Sequence, residues 1–240
     1  MKPRPQIVVL VLALLLCAVV AGVFLVKQSG DEAQAAQSAE RYASQNPQPV
    51  ATQAPVAVTV IGDDLAAPAQ SGTPVAVFPT LLQRALDRRV VSLSTAGSGY
   101  TTRPLTNMYG GTFEARAAQV ASTSSVVLIV GGANDQRATR VQLLRAASST
   151  ISTAQQRAPD ATVVVVGPPS PEEQAPASLL AVRDALREAA DRGDARFVDP
   201  IAQGWLEDGT GYLAADDRTL TEKGQQAMTS RLEAVIRPLL

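Results

Sequence analysis

The segment VAVTVIGDDL at residues 56–65 joins six apolar or β-branched residues to a glycine and two aspartates. A run of this kind predicts a buried strand that ends in a polar turn. Four later segments have the same character, at residues 90–93, 126–130, 162–166 and 197–198. The sequence therefore predicts five strands.

Segments with helical periodicity alternate with these strands. They lie at residues 79–88, 113–122, 139–157, 179–191 and 221–236. Alternating strands and helices predict a parallel sheet with helices on both faces. We therefore predict the α/β class, as a three-layer α/β/α sandwich with a flavodoxin-like five-stranded sheet. Functional residues of such sheets follow the carboxyl ends of the strands.

The N-terminal part has a different character. Residues 7–26 are all apolar or small, which gives enough helix to cross a hydrocarbon core. Basic residues precede this run, so we predict a signal anchor with a cytoplasmic tail at residues 1–6. A cleaved signal peptide is the alternative, because the small residues Ala33-Gln34-Ala35 offer a cleavage site.

Residues 27–55 are rich in Gln, Ala and Pro, and we predict a stalk because they hold too few large apolar residues to form a core. Residues 56–240 form the predicted domain. We expect a single-pass protein of the cytoplasmic membrane with this domain on the extracytoplasmic side.

Composition excludes several functions. The chain has no histidine, so it lacks the usual general base of hydrolytic triads. Its single cysteine lies in the apolar run, which leaves the predicted domain without a thiol. The net charge is −1 with no basic stripe, so we predict no nucleic acid partner.

Three short motifs follow predicted strands or precede the last helix. They are GDDL at residues 62–65, GAND at residues 132–135 and DDRTLT at residues 216–221. Their type, order and spacing resemble the SGNH (GDSL) hydrolase family, whose corresponding blocks are GDSL, GxND and DxxH. The resemblance covers nearly the whole predicted domain and implies its α/β sandwich.

The resemblance also implies a role for each matched position. Asp64 stands where the family has its nucleophilic serine, Thr219 where it has histidine, and Asp216 at the orienting carboxylate. Asn134 matches the oxyanion-hole asparagine. The second oxyanion-hole donor corresponds to a glycine in the segment 96–100, either Gly97 or Gly99.

These replacements predict a domain that does not hydrolyse esters. The Thr219 hydroxyl cannot act as a base near neutral pH. A carboxylate nucleophile at Asp64 would form a mixed anhydride, and the chain has no histidine to activate water against it. A fixed negative charge at Asp64 would also repel the oxyanion that Asn134 is expected to stabilise.

The acidic residues of the motifs allow two interpretations. Asp63, Asp64, Asp135 and Asp216 could meet at one sheet edge and hold Mg²⁺ or Ca²⁺. Alternatively, Asp63 binds loop amides and Asp135 caps the following helix, and no cofactor is needed. We predict the second arrangement. If the carboxylates do crowd together, one of them should have a raised pKa unless a cation compensates, and Arg218 could be that cation.

The aromatic residues Trp205 and Tyr212 also have two interpretations, as a stacking platform for sugar rings or as packing beneath a lid. Taken together, the sequence predicts a catalytically inactive SGNH-like domain that binds an acyl, glycan or protein component of the cell envelope. The alternatives are an active esterase or acyl hydrolase with an altered site, and a metal-binding or structural envelope component.

Overall fold

The computed structural model describes residues 55–67, 76–104, 111–206 and 211–240. The predicted tail, anchor and stalk fall outside these residues, apart from Pro55. Within the described part, no helix has both the length and the apolar character needed to cross a membrane.

The sheet has five parallel strands in the order β2-β1-β3-β4-β5. The strands are β1 (Val56–Gly62), β2 (Val90–Ser92), β3 (Ser124–Val130), β4 (Thr162–Val166) and β5 (Arg196–Val198). This is the flavodoxin-like order, in which the chain reverses direction across the sheet between β1 and β3. The predicted fold class and sheet are confirmed.

Five α-helices lie in the described residues. They are α1 (Phe78–Leu86), α2 (Phe113–Ala117), α3 (Arg140–Arg157), α4 (Ala177–Arg192) and α5 (Glu222–Ile236). The prediction for residues 113–122 was too long. Gln119 and Val120 donate backbone hydrogen bonds three residues back, to Arg116 and Ala117, so tight turns replace the helix.

Alternate side chains of the strands enter two separate cores, as a two-residue period requires. Val58 and Val60 of β1 pack with Phe78 of α1 and Leu232 of α5 on one face. The strand residues whose side chains point to the opposite face, such as Ile61 of β1, pack there with α2, α3 and α4. This is the predicted three-layer sandwich.

The sheet register brings the motifs together. Gly62 at the end of β1 is paired with Val130 at the end of β3, so the turns that follow these strands are neighbours. The Thr95 N–H donates to the Gly62 carbonyl and places the segment after β2 beside them. Residues from three parts of the chain therefore meet at one sheet edge.

Candidate functional site

Asp64 follows β1, and its carboxylate lies among three hydrogen-bond donors from other parts of the chain. Its Oδ2 accepts hydrogen bonds from the Gly97 N–H at 3.0 Å and from Asn134 Nδ2 at 2.7 Å. Arg218 Nη2 lies 3.5 Å from the same oxygen. The matched oxyanion-hole donors therefore bind a carboxylate of their own chain.

The Asn134 side chain uses all its hydrogen-bonding groups. Besides Asp64, its Nδ2 donates to the Ser98 carbonyl at 2.8 Å, and its Oδ1 accepts from Arg218 Nη2 at 2.6 Å. The two acceptors on one side and the guanidinium on the other fix the orientation of the amide. Asn134 has no donor left for a ligand.

Gly97 and Gly99, the two candidate glycines, have different roles. The Gly97 N–H binds Asp64, and the φ angle of Gly97 is 73°, which favours glycine. The Gly99 N–H donates to the Thr102 carbonyl, and a Cβ on Gly99 would lie 2.3 Å from Asp135 Oδ2. Gly97 is therefore the donor of the site, and Gly99 admits the Asp135 carboxylate.

Asp216 and Thr219 bind each other. Asp216 Oδ2 accepts from Thr219 Oγ1 at 2.8 Å, and its Oδ1 accepts from the backbone N–H groups of Arg218 and Thr219. Partial burial acts to raise the pKa of Asp216, but these hydrogen bonds and the Arg218 charge hold it below its usual value. The pair closes a turn and offers no group that could accept a proton near neutral pH.

Asp63 lies beneath the site and is buried. It accepts hydrogen bonds from the backbone N–H groups of Leu65 and Gly132, each at 3.1 Å. Burial is the main cause that raises its pKa to about 7, and the nearby Asp64 and Asp135 act in the same direction. Asp63 thus links the turns after β1 and β3, as the loop-binding interpretation predicted.

Asp135 is also buried, but it does not cap the following helix as predicted. Its carboxylate accepts hydrogen bonds from the backbone N–H groups of residues 100–102 and from the hydroxyls of Thr101 and Thr102. Thr139 caps α3 instead, in a capping box with Gln142. Asp135 holds the loop after β2 in place.

The metal interpretation gains no support. Among the described residues, no group of three or more His, Cys, Asp or Glu side chains is arranged to hold a metal ion. Asp63 and Asp135 direct their oxygens at backbone amides and hydroxyls. The four carboxylates organise loops, and the Arg218 guanidinium lies beside the carboxylate of Asp64.

A crevice of about 1300 Å³ opens above Asp64. Leu179, Leu206 and Leu213 line its apolar side, together with prolines after β4. The charged lining residues are Arg103, Arg137 and Arg218 with positive charge and, besides Asp63 and Asp64, the acidic residues Glu172, Asp216 and Asp217. The sequence interpretation did not identify Arg103 or Arg137. Arg137 lies two residues after the GAND motif. This proximity was the one feature of the sequence that could have indicated its place at the crevice.

Trp205 and Tyr212 pack against the core, which agrees with the second of their two interpretations. Trp205 is 4% exposed, lies in the core beneath α5 and donates from Nε1 to Gln203. Tyr212 is half-buried against the same core, and Lys223 Nζ lies 4.5 Å from its ring centroid. Neither ring lines the crevice.

Comparisons with known proteins agree with this architecture. A protein-family model described as the GDSL-like lipase/acylhydrolase family matches residues 60–227. A GDSL lipase of Mycobacterium tuberculosis strain H37Rv is 31% identical over 134 residues, which are 53% of this chain and 57% of that protein. The chain thus spans less than two thirds of that relative.

Solved structures share the fold at low sequence identity. TesA is 21% identical, with a TM-score of 0.62 over 77% of this chain and 99% of that one. A lipase/acylhydrolase from Enterococcus faecalis is 16% identical, with a TM-score of 0.59 over 76% and 96% of the two chains. A family two carbohydrate esterase from Clostridium thermocellum, in complex with cellohexaose, is 16% identical, with a TM-score of 0.56 over 79% and 66%.

Proposed function

The chain belongs to the GDSL-like lipase/acylhydrolase family, and we propose that it is a non-catalytic member that binds an acyl, glycan or protein component of the cell envelope. The single observation that carries this proposal is the position of the Asp64 carboxylate. It accepts the hydrogen bonds that an oxyanion would need from Gly97 and Asn134. The site is filled before any substrate arrives.

The rest of the catalytic machinery supports the same proposal. A serine hydrolase needs a nucleophile activated by a base that titrates near the working pH. Here Asp64 stands in place of the nucleophile, the Thr219 hydroxyl donates a hydrogen bond to Asp216, and the chain has no histidine. Loss of triad members lowers hydrolytic rates by several orders of magnitude.

The crevice itself supports retained binding. Its apolar wall and arginines surround an ordered polar floor, which is the usual composition of a ligand pocket. Relatives and structural neighbours are described as a lipase and as a carbohydrate esterase bound to cellohexaose. Acyl and sugar groups are therefore the ligand classes we propose first.

We further propose that residues 7–26 anchor the protein in the cytoplasmic membrane and that residues 27–55 hold the domain away from it on the extracytoplasmic side. The apolar run and the basic residues before it support this orientation. Protease added to intact spheroplasts should digest the domain. Protection of the domain until the spheroplasts are lysed would contradict the orientation.

Hydrolysis of p-nitrophenyl acetate tests the absence of catalysis. We expect the wild type, Asp64→Ala and Asn134→Ala to show the same background rate. The rival function is an active esterase or acyl hydrolase with an altered site, supported by the retained Gly97 and Asn134 donors. A wild-type rate above background that either substitution abolishes would establish that rival.

A further inference from the structure

Resting on the proposed binding function, we infer that the crevice selects a neutral, hydroxyl-bearing ligand such as a glycan through a hydrogen bond to Asp64 Oδ1. An ester carbonyl, the group that an oxyanion hole binds, is disfavoured at the same place. The site would thus offer its ligand a hydrogen-bond acceptor, where the oxyanion hole of a hydrolase offers donors.

The two oxygens of Asp64 have different environments. Oδ2 accepts from Gly97 and Asn134 and lies beside Arg218. Oδ1 receives no hydrogen bond from any residue that the structure describes. The side chain keeps 14% of its surface exposed and lines the crevice. Among the described residues no donor competes for Oδ1, so a ligand that reaches the floor can donate a hydrogen bond to it.

An acceptor of this kind discriminates between ligand groups. A hydroxyl can donate to it in a charge-assisted hydrogen bond, which is stronger than a neutral one. A carbonyl oxygen would instead place two acceptors against each other, with the Gly97 and Asn134 donors already occupied. Leaving the ligand's polar group and Asp64 Oδ1 both unsatisfied would cost binding free energy.

The crevice carries charges of both signs, which favours a neutral ligand over an ion. Its lining includes the guanidinium groups of Arg103, Arg137 and Arg218 and, besides Asp64, the carboxyl groups of Glu172, Asp216 and Asp217. A cation is repelled by the first set and an anion by the second. A neutral polyol avoids both repulsions and can accept hydrogen bonds from the arginines.

The shape of the crevice agrees with a sugar. Its volume of about 1300 Å³ exceeds that of a typical small-molecule pocket and leaves room for more than one ring. The apolar wall, to which Leu179 and Leu206 contribute, can contact the C–H face of a ring while its hydroxyls reach the polar floor. A neutral glycan therefore suits the crevice.

The test uses the full chain labelled with ¹⁵N-glycine, in a zwitterionic detergent that contains no sugar. The Gly97 amide donates to Asp64, so its NMR signal senses any ligand bound to that carboxylate. Methyl β-D-glucopyranoside supplies hydroxyl donors, and N,N-dimethylacetamide is a neutral probe that can only accept. We expect the glucoside, and not the amide probe, to shift the Gly97 signal.

Asp64→Asn should reverse this preference. The Gly97, Asn134 and Arg218 donors will hold the amide oxygen of the new side chain, so its NH₂ group faces the crevice. We expect glucoside binding to weaken about tenfold through loss of the charge-assisted hydrogen bond. Dimethylacetamide should now shift the Gly97 signal. Asp160→Asn, which makes the same change at an exposed residue outside the crevice, should behave as the wild type.

Two results would overturn the inference. One is a Gly97 signal in the wild type that dimethylacetamide shifts as strongly as the glucoside, or that the glucoside does not shift. The other is glucoside binding that Asp64→Asn leaves unchanged. Failure of the proposed function is a separate result, because it appears as Asn134-dependent hydrolysis of p-nitrophenyl acetate.

Discussion

Asn134 Nδ2 donates a hydrogen bond of 2.7 Å to Asp64 Oδ2. By family resemblance, Asn134 is the residue that stabilises an oxyanion, and Asp64 stands at the position of the nucleophile. A carboxylate therefore stands in place of the nucleophile and occupies these donors. Arg218 bonds to Asn134 Oδ1 and offsets the charge of that carboxylate.

We predict that Asp63 makes the stability of the domain depend on pH between about pH 5 and pH 8. Burial raises the pKa of Asp63 to about 7 in the folded domain, from an ordinary value of 3.8. The folded state thus holds a proton that the unfolded state releases, so stability should fall as pH rises towards 7 and level off above it. The expected loss is about 2–3 kcal/mol.

Urea unfolding at the two pH values measures this effect, and Asp63→Asn is the matched variant. Because the chain has no histidine, few other side chains change charge in this range. The variant should lose most of the pH dependence. An equal pH dependence in both proteins would rule out Asp63 as its source.

We also predict that Gly131→Ala strongly destabilises the domain. Gly131 has a φ angle of 127°, and an added Cβ would lie 2.1 Å from Asp63 Oδ2. The expected loss is at least about 3 kcal/mol, from overpacking combined with backbone strain. Chemical denaturation of the purified variants measures it.

Gly211→Ala is the control for backbone strain alone. Gly211 has a φ angle of 91°, but an added Cβ there meets no atom of the described residues within 4 Å. This variant should lose about 1–2 kcal/mol. If Gly131→Ala cost no more than Gly211→Ala, the close approach to Asp63 would have no energetic role.

The double variant Asp64→Ser/Thr219→His should gain esterase activity. A serine would free the Gly97 and Asn134 donors, and a histidine at position 219 would replace the threonine whose hydroxyl now binds Asp216. We expect hydrolysis of p-nitrophenyl acetate at least about tenfold above that of either single variant, because triad residues act as a unit.

Adding Asn134→Ala to this background should remove the gained activity, since the oxyanion donor is then lost. A folded double variant that stays at the background rate would show that the site has diverged beyond these two positions.

The sequence predicted the fold because each strand and helix has a strong local pattern. The runs at 126–130 and 162–166 are β-branched and apolar without interruption, as buried parallel strands require. Thr139 and Gln142 form a capping box, and α3 begins between them. The helix ending at Ala117 was overestimated because the turns after it keep an apolar residue, Val120, directed into the core.

The candidate site was predicted less completely. Motif order identified Asp64, Asn134, Asp216 and Thr219, because parallel strands bring their carboxyl ends to one edge. The hydrogen-bond partners of these residues come from distant loops. Those of Asp64 alone lie 33 to 154 residues away from it in the sequence. No local pattern distinguishes Gly97 from Gly99 or directs Asp135 to the loop at 100–102. Those contacts follow from tertiary packing.

The central claim is that Asp64 fills an anion site. Thermal unfolding of the wild type and of Asp64→Ala, each with and without sodium acetate, tests this claim most directly. Sodium chloride is the control for ionic strength. Removing the carboxylate vacates the Gly97, Asn134 and Arg218 donors. A ligand that binds only the folded state raises the unfolding temperature. We predict that acetate raises it in Asp64→Ala and leaves the wild type unchanged. An equal response in the two proteins, or none in Asp64→Ala, would contradict the account.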